Sequence, residues 1–203
     1  MTGTTLPPTA RGERTRRAVL DAAVERFGRD GYRATAVADV ARDAGVGGTV
    51  PYAYFPSKEA LFLAAVDDDA AAVIAEGTAH LAGELLRWRS TLLPALLGAL
   101  DRHPLARRLL AGLEPEVTAR VLEVPALAEL RRTIAERLAA EQRAGTVRAD
   151  VDPVTLGNGL VTIVLALLMA VTQLGPDVAT RYADDVGALL DAALTRPATP
   201  RRR

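Results

Sequence analysis

Residues 37–55, VADVARDAGVGGTVPYAYF, constrain the fold more than any other part of this chain. Val37, Val40, Ala41 and Ala44 fall at i, i+3, i+4 and i+7, one apolar stripe on a helix. Gly45 stops that helix, because glycine enters the left-handed C-cap conformation without steric cost. Val46 and Val50 continue the apolar set after a sharp change of direction. Two small helices joined by a short turn containing glycine form a helix-turn-helix, whose known use is to lay its second helix in the major groove of DNA.

Pro51 complicates that second helix. Proline has no backbone N–H and is tolerated only in the first turn of a helix. A helix beginning at Gly47 would place Pro51 beyond that turn and force Val50 out of helical geometry. The expectation is a later start, with Thr49 or Val50 near the cap, Gly47 and Gly48 in the turn, and a short readable segment over residues 50–55.

The flanking residues extend the same unit. Leu20, Ala23, Val24 and Phe27 give a preceding helix an apolar face, with Gly28-Arg29-Asp30-Gly31 expected to end it. Thr35 is expected to cap the next helix and Ser57 the one after Phe55, with Pro56 setting its start and Glu59 in its first turn. Leu61, Phe62, Ala65, Val66, Val73 and Ile74 carry that helix into the rest of the chain. Beyond residue 80, leucine-rich helical patterns are punctuated by Gly and Pro at Pro94, Pro104, Pro115, Pro125, Gly145, Pro153 and Pro176, and no β-branched alternation appears. The fold class expected is all-α, with about nine helices: a three-helix DNA-binding domain over residues 11–56, a larger helical domain over 57–196, and disordered tails at 1–10 and 197–203.

The 24 charge-free residues 153–176 raise the question of a membrane span. Thr155, Gly157, Asn158, Gly159, Thr162, Thr172 and Gln173 dilute both ends, leaving residues 161–171 as the dense part. That part is too short to span, so a helix buried nearly all round, partly by a second subunit, is expected, and no membrane partner. The N-terminus lacks the apolar core of a signal peptide, which favours a cytoplasmic protein.

Chemistry-bearing constellations are sparse. Cysteine is absent, which excludes disulfides and thiolate catalysis. The two histidines, His80 and His103, lie in separate segments, and His103 before Pro104 is expected to be structural. Asp67-Asp68-Asp69 cannot chelate together, since neighbouring helix positions point about 100° apart; a solvated face is expected there. Neither a phosphate-binding glycine loop nor a nucleophile elbow occurs. No enzyme activity, cofactor or metal is expected. Residues 1–60 hold nine basic against seven acidic side chains, too slight a lean to argue for nucleic acid alone.

Candidate DNA contacts follow from chemistry. Lys58 and the amides at its helix start suit a phosphate. Thr35 has a hydroxyl for capping or phosphate, and Tyr54 for phosphate or packing. The second helix offers small side chains for base readout, Gly48, Thr49 and Val50, with Thr49 able to bond a base edge or meet a thymine methyl. Arg42 reaches toward guanine or simply into solvent, and Arg14 is a candidate phosphate clamp.

The set Leu20-x-x-Ala23-x-x-x-Phe27, Gly31-Tyr32-x-x-Thr35, Val40-Ala41-x-x-Ala44-Gly45-Val46 and Tyr52-x-Tyr54-Phe55-x-x-Lys58-Glu59-x-Leu61 resembles the DNA-binding domain of tetracycline-repressor (TetR) family regulators. The resemblance implies phosphate contact for Tyr52, an effector pocket in the larger domain, and dimerisation of the last two helices, residues 152–174 and Asp177–Leu194, into a four-helix bundle. It departs from the family at Gly47, Thr49 and Pro51, and at Ala36 where a hydroxyl residue is usual. Leu160, Val164, Leu167, Leu168, Val171, Tyr182, Val186 and Leu189 are the candidate dimer contacts, and His80, Trp88, Asn158, Thr162 and Gln173 the candidate ligand contacts. Six of the eight aromatics lie in residues 27–62, so a pocket farther on would be lined by Leu, Val, Ala and Met. The reading is a homodimeric repressor that binds a palindromic double-stranded DNA operator and is released by a small, mainly apolar effector. The alternative is a helical protein-interaction module without sequence-specific DNA binding.

Overall fold

The computed structural model describes residues 10–79, 85–115 and 123–195; the side chains of residues 85–91, 179, 180, 183 and 184 lie outside the description. Within it the chain forms eight α-helices and one 3₁₀ turn, and no strand: α1 (Ala10–Ala34), α2 (Val37–Asp43), the 3₁₀ turn Val50–Ala53, α3 (Lys58–Thr78), α4 (Leu85–Leu100), α5 (Pro104–Leu110), α6 (Pro125–Ala144), α7 (Pro153–Leu174) and α8 (Asp177–Leu194).

Local chemistry accounts for most of the boundaries. Ser57 caps α3, its side chain accepting from the Ala60 N–H at 3.0 Å. Pro104, Pro125 and Pro153 each open a helix, where a missing N–H costs nothing. Asp152 caps α7 by accepting from the Thr155 N–H at 2.8 Å, and Gly145 ends α6 in the left-handed conformation (φ 78°). Gln142 then ties the α6–α7 connection by donating to the Arg148 and Val151 carbonyls.

The Gly28–Gly31 stretch interrupts the first helix as expected, at a break on Gly31 (φ 81°, ψ 168°), but one expectation beside it needs correction. Thr35 does not cap α2. Ala36 occupies the cap position without a side-chain bond, and the Thr35 hydroxyl, 3% exposed, donates back to the Gly31 carbonyl at 2.8 Å.

The helix-turn-helix sits on α1 and α3 through Val19, Leu20, Ala23, Phe27, Val40, Leu61 and Phe62. Phe27 meets Phe62 edge-on at 5.0 Å, and Tyr32 leans on Phe62 at 4.9 Å. That core is continuous with the one formed by α4–α8. Gly77 lets α4 lie close to α3, since a Cβ there would stand 2.2 Å from a Leu96 methyl.

α7 is apolar and long enough, by length and composition, to cross a membrane. Its inner face belongs to the core. Gly157 sits against the α6 backbone at Ala135 and Arg131, while Leu160, Val161, Leu165 and Leu168 are buried. The expected burial all round is not met within one chain, because Thr155, Asn158, Gly159, Thr162 and Ala166 are exposed on the opposite side.

Candidate nucleic-acid interface and internal cavity

The reading element departs from a regular α-helix where Pro51 requires it to. Gly45 (φ 67°) turns the chain after α2, and the Val46 N–H returns to the Ala41 carbonyl at 2.9 Å. Val50 N–H then bonds Gly47 O at 2.9 Å and Tyr52 N–H bonds Thr49 O at 3.2 Å, both i→i−3 spacings. Thr49 is the cap residue and Pro51 lies in the first turn, as expected; the element spans only Val50–Ala53, one 3₁₀ turn. Pro51 is itself fully buried, so it anchors this turn to the domain core as well as setting its start.

That anchoring leaves Gly48, Thr49, Tyr52 and Ala53 exposed, with Val50 half-buried. Tyr54 is half-buried against the core, and Phe55 is buried with the Arg16 guanidinium 5.3 Å from its ring centre. Lys58, in the first turn of α3, holds its ammonium 4.5 Å from the Tyr32 ring centre and 3.4 Å from the Arg33 carbonyl. Arg42 is exposed and paired with Asp39 one turn earlier. Arg14 is exposed near the start of α1. Thr35 differs from the other candidates in that its hydroxyl is buried and donates to the Gly31 carbonyl.

One positioning contact was invisible in the sequence. Arg26 on α1 grips Asp43 at the end of α2 with two bonds of 2.7 and 2.8 Å, a bidentate pair that fixes how the helix-turn-helix sits on α1.

Farther in, α3 to α7 enclose a cavity of about 70 Å³. Val66, Val73, Leu96, Leu109, Ile134 and Val161 are among its lining residues, and every described one is Val, Leu, Ile or Ala. The cavity has the apolar character expected of a pocket, and the described candidate ligand residues lie away from its lining. Asn158 and Thr162 are exposed on the outer side of α7. Gln173, also exposed, donates to the Leu110 carbonyl at 2.8 Å, tying α7 to the end of α5. His80 and the Trp88 side chain lie outside the described residues. Several expected dimer contacts also face inward: Leu160, Val164 and Leu168 line the cavity, Val171 is buried, and Val186 packs on the core. Leu167 is half-buried, while Tyr182 and Leu189 are exposed.

α5 connects the cavity to the DNA-binding end. Its Ala106, Leu109 and Leu110 close the cavity. Its first turn lies against Gly28 of α1, where a Cβ would come within 2.7 Å of the Pro104 Cβ and 2.9 Å of the Leu105 nitrogen. Just beyond its last turn, Glu114 accepts from Arg108 Nε at 2.7 Å and from the Tyr32 backbone N–H at 3.2 Å.

The start of α5 is held from α3. Asp69, expected on a solvated face, is only 3% exposed. It accepts from the Ala106 N–H at 2.8 Å and meets His103 Nδ1 at 2.7 Å, so it caps α5 from another helix. His103 Nε2 lies 3.2 Å from Glu76, which also receives Arg102. Burial disfavours a charged His103, but its bonds to Asp69 and Glu76 outweigh that and raise its pKa above the ordinary value. His103 is structural, as expected. No cluster of metal-ligating side chains occurs among the described residues.

The architecture is thus a helix-turn-helix joined through one long helix, α3, to an all-helical part with an internal cavity. Residues 19–65 match the family described as bacterial regulatory proteins, tetR family. Residues 19–65 thus match that family's DNA-binding segment, and the fold of the rest follows solved members of the same family. Among curated proteins the sequence finds no match. Among solved structures, a TetR-family regulator from Mesorhizobium loti is similar at TM-score 0.70 and 23% identity, covering 93% of this chain and 100% of that one. A TetR-family regulator from Rhodococcus sp. follows the fold at 0.67 and 20%, covering 90% and 100%. The fatty acid degradation regulator FadR from Bacillus halodurans does so at 0.65 and 19%, covering 88% and 99%.

Proposed function

We propose that this chain is a ligand-responsive repressor that binds a palindromic operator as a homodimer and is released by a small, mainly apolar effector. The observation that carries the reading is α5, which closes the cavity with one side and seats α1 at both of its ends. A molecule entering a cavity this small must push its walls apart, and α5 cannot shift without disturbing Gly28 and Tyr32. An effector that prefers the expanded cavity thereby disfavours one arrangement of the DNA-binding end, which is the differential binding that regulation requires.

On DNA, Gly48, Thr49 and Val50 are proposed to meet base edges, and Tyr52, Lys58 and Arg14 to meet phosphates, with Arg42 beside them. A single 3₁₀ turn presents few side chains, so DNA shape carries more of the specificity than it does for a full recognition helix. For the dimer, the exposed side of α7 offers the small residues Gly159, Thr162 and Ala166, which allow close approach by another helix, and α8 adds exposed Tyr182 and Leu189. Footprinting on the DNA upstream of its own gene tests this reading. Two protected half-sites about one helical turn apart, or a multiple of that, are expected; a single unpaired footprint would overturn the dimeric operator.

A further inference from the structure

We propose that the cavity takes an uncharged aliphatic molecule, bound lengthwise and without a hydrogen bond; the proposal rests on reading the cavity as the effector site. Its described lining runs from Val66 to Ile74 on α3 and from Leu160 to Leu168 on α7. Eight residues of helix rise about 12 Å, so the walls are long for their small enclosed volume. The space is a slot walled by branched aliphatic side chains of α3 to α7.

The lining also excludes other chemistries. No aromatic ring stands among the described lining residues, so a flat aromatic ligand finds no stacking partner and a cation no ring face. The buried charge nearest in sequence to the lining, Asp69 beside Ala70, has both oxygens committed, one to His103 and one to the Ala106 N–H. A cationic ligand therefore meets no free carboxylate among the described lining residues. No Lys or Arg stands among the described lining residues either, so an anionic head group would be buried unpaired against them, which is strongly disfavoured. Shape matching to Leu, Val and Ile is the selectivity that the described walls supply, and it favours a slim saturated chain.

The test uses the full-length protein and three probes of one chain length: n-hexane, hexylammonium and hexanoate. Binding is read by thermal midpoint and by saturation-transfer NMR. Hexane is expected to raise the midpoint, with both ions binding at least a hundredfold more weakly. Ala70→Leu, which extends a side chain into the slot, is expected to abolish hexane binding, and Val164→Ile, a smaller change, to weaken it, with folding checked by circular dichroism. An ion binding as tightly as hexane would overturn the ligand class while leaving the cavity as the effector site. Binding of none of the three would overturn both, since the cavity would then be a dry packing void. Hexane binding indifferent to both substitutions would place it elsewhere and also overturn the proposal.

Discussion

Gly28 of α1 and Pro104 of α5 touch so closely that a Cβ on the glycine would lie 2.7 Å from the proline Cβ and 2.9 Å from backbone. Backbone cannot rotate away, so Gly28→Ala must push α5 and α1 apart. The expected cost is about 1–3 kcal/mol of stability, with DNA affinity altered although no DNA contact is touched. Denaturant melts and anisotropy on operator DNA check both; an unchanged midpoint would mean that the two helices are not firmly seated on each other.

Thr49 and Lys58 are predicted to fail differently. Thr49→Ala should relax preference at one base position per half-site by about 1–3 kcal/mol, whereas Lys58→Ala should weaken binding to all sequences alike and flatten the salt dependence. Measuring both variants on operator and random duplexes separates the roles. Equal loss on both duplexes for Thr49→Ala would remove it from base readout.

His103 predicts a pH dependence of stability. Its folded pKa is raised above the ordinary value of about 6.5, so the stabilisation from protonated His103 is fully present below that value and is lost as pH rises through the folded pKa. Stability should therefore fall as pH rises above that ordinary value. His103→Gln should remove that dependence and cost about 1–3 kcal/mol, because buried Asp69 loses a partner. Urea melts over a pH series that starts below 6.5 and runs upward read both effects; an identical slope in wild type and variant would contradict the assignment.

The two sides of α7 should respond oppositely to charge. Val171→Asp buries an unpaired carboxylate within the chain and should unfold it. Ala166→Asp lies on the exposed side and should leave the subunit folded but split the dimer. Sedimentation with circular dichroism distinguishes the outcomes, and a dimer intact in Ala166→Asp would move the interface elsewhere.

Features set by neighbouring residues were legible in the sequence. Gly45 as a stop, Ser57 as a cap and Pro51 as the reason for a late, shortened reading element all depend on backbone chemistry within a few positions. What escaped depends on partners far along the chain. Asp69 looks like one of three solvated aspartates until His103, 34 residues on, folds against it. Gly28 looks like no more than part of a helix stop, yet it also leaves the room that Pro104 fills. Thr35 looks like a cap, but the break at Gly31 leaves a carbonyl that takes its hydroxyl. The apolar character of the cavity was readable from the shortage of aromatics beyond residue 62. Which side of α7 faces it was not, because a helix apolar nearly all round carries no stripe to read.

Fluorescence anisotropy with the duplex from upstream of its own gene, against a random duplex of equal length, tests the central claim most directly. The account predicts that the upstream duplex binds at least about a thousandfold more tightly at physiological salt, and that its affinity falls steeply as salt is raised. Equal affinity for the two duplexes, or no binding to either at low salt, would contradict it.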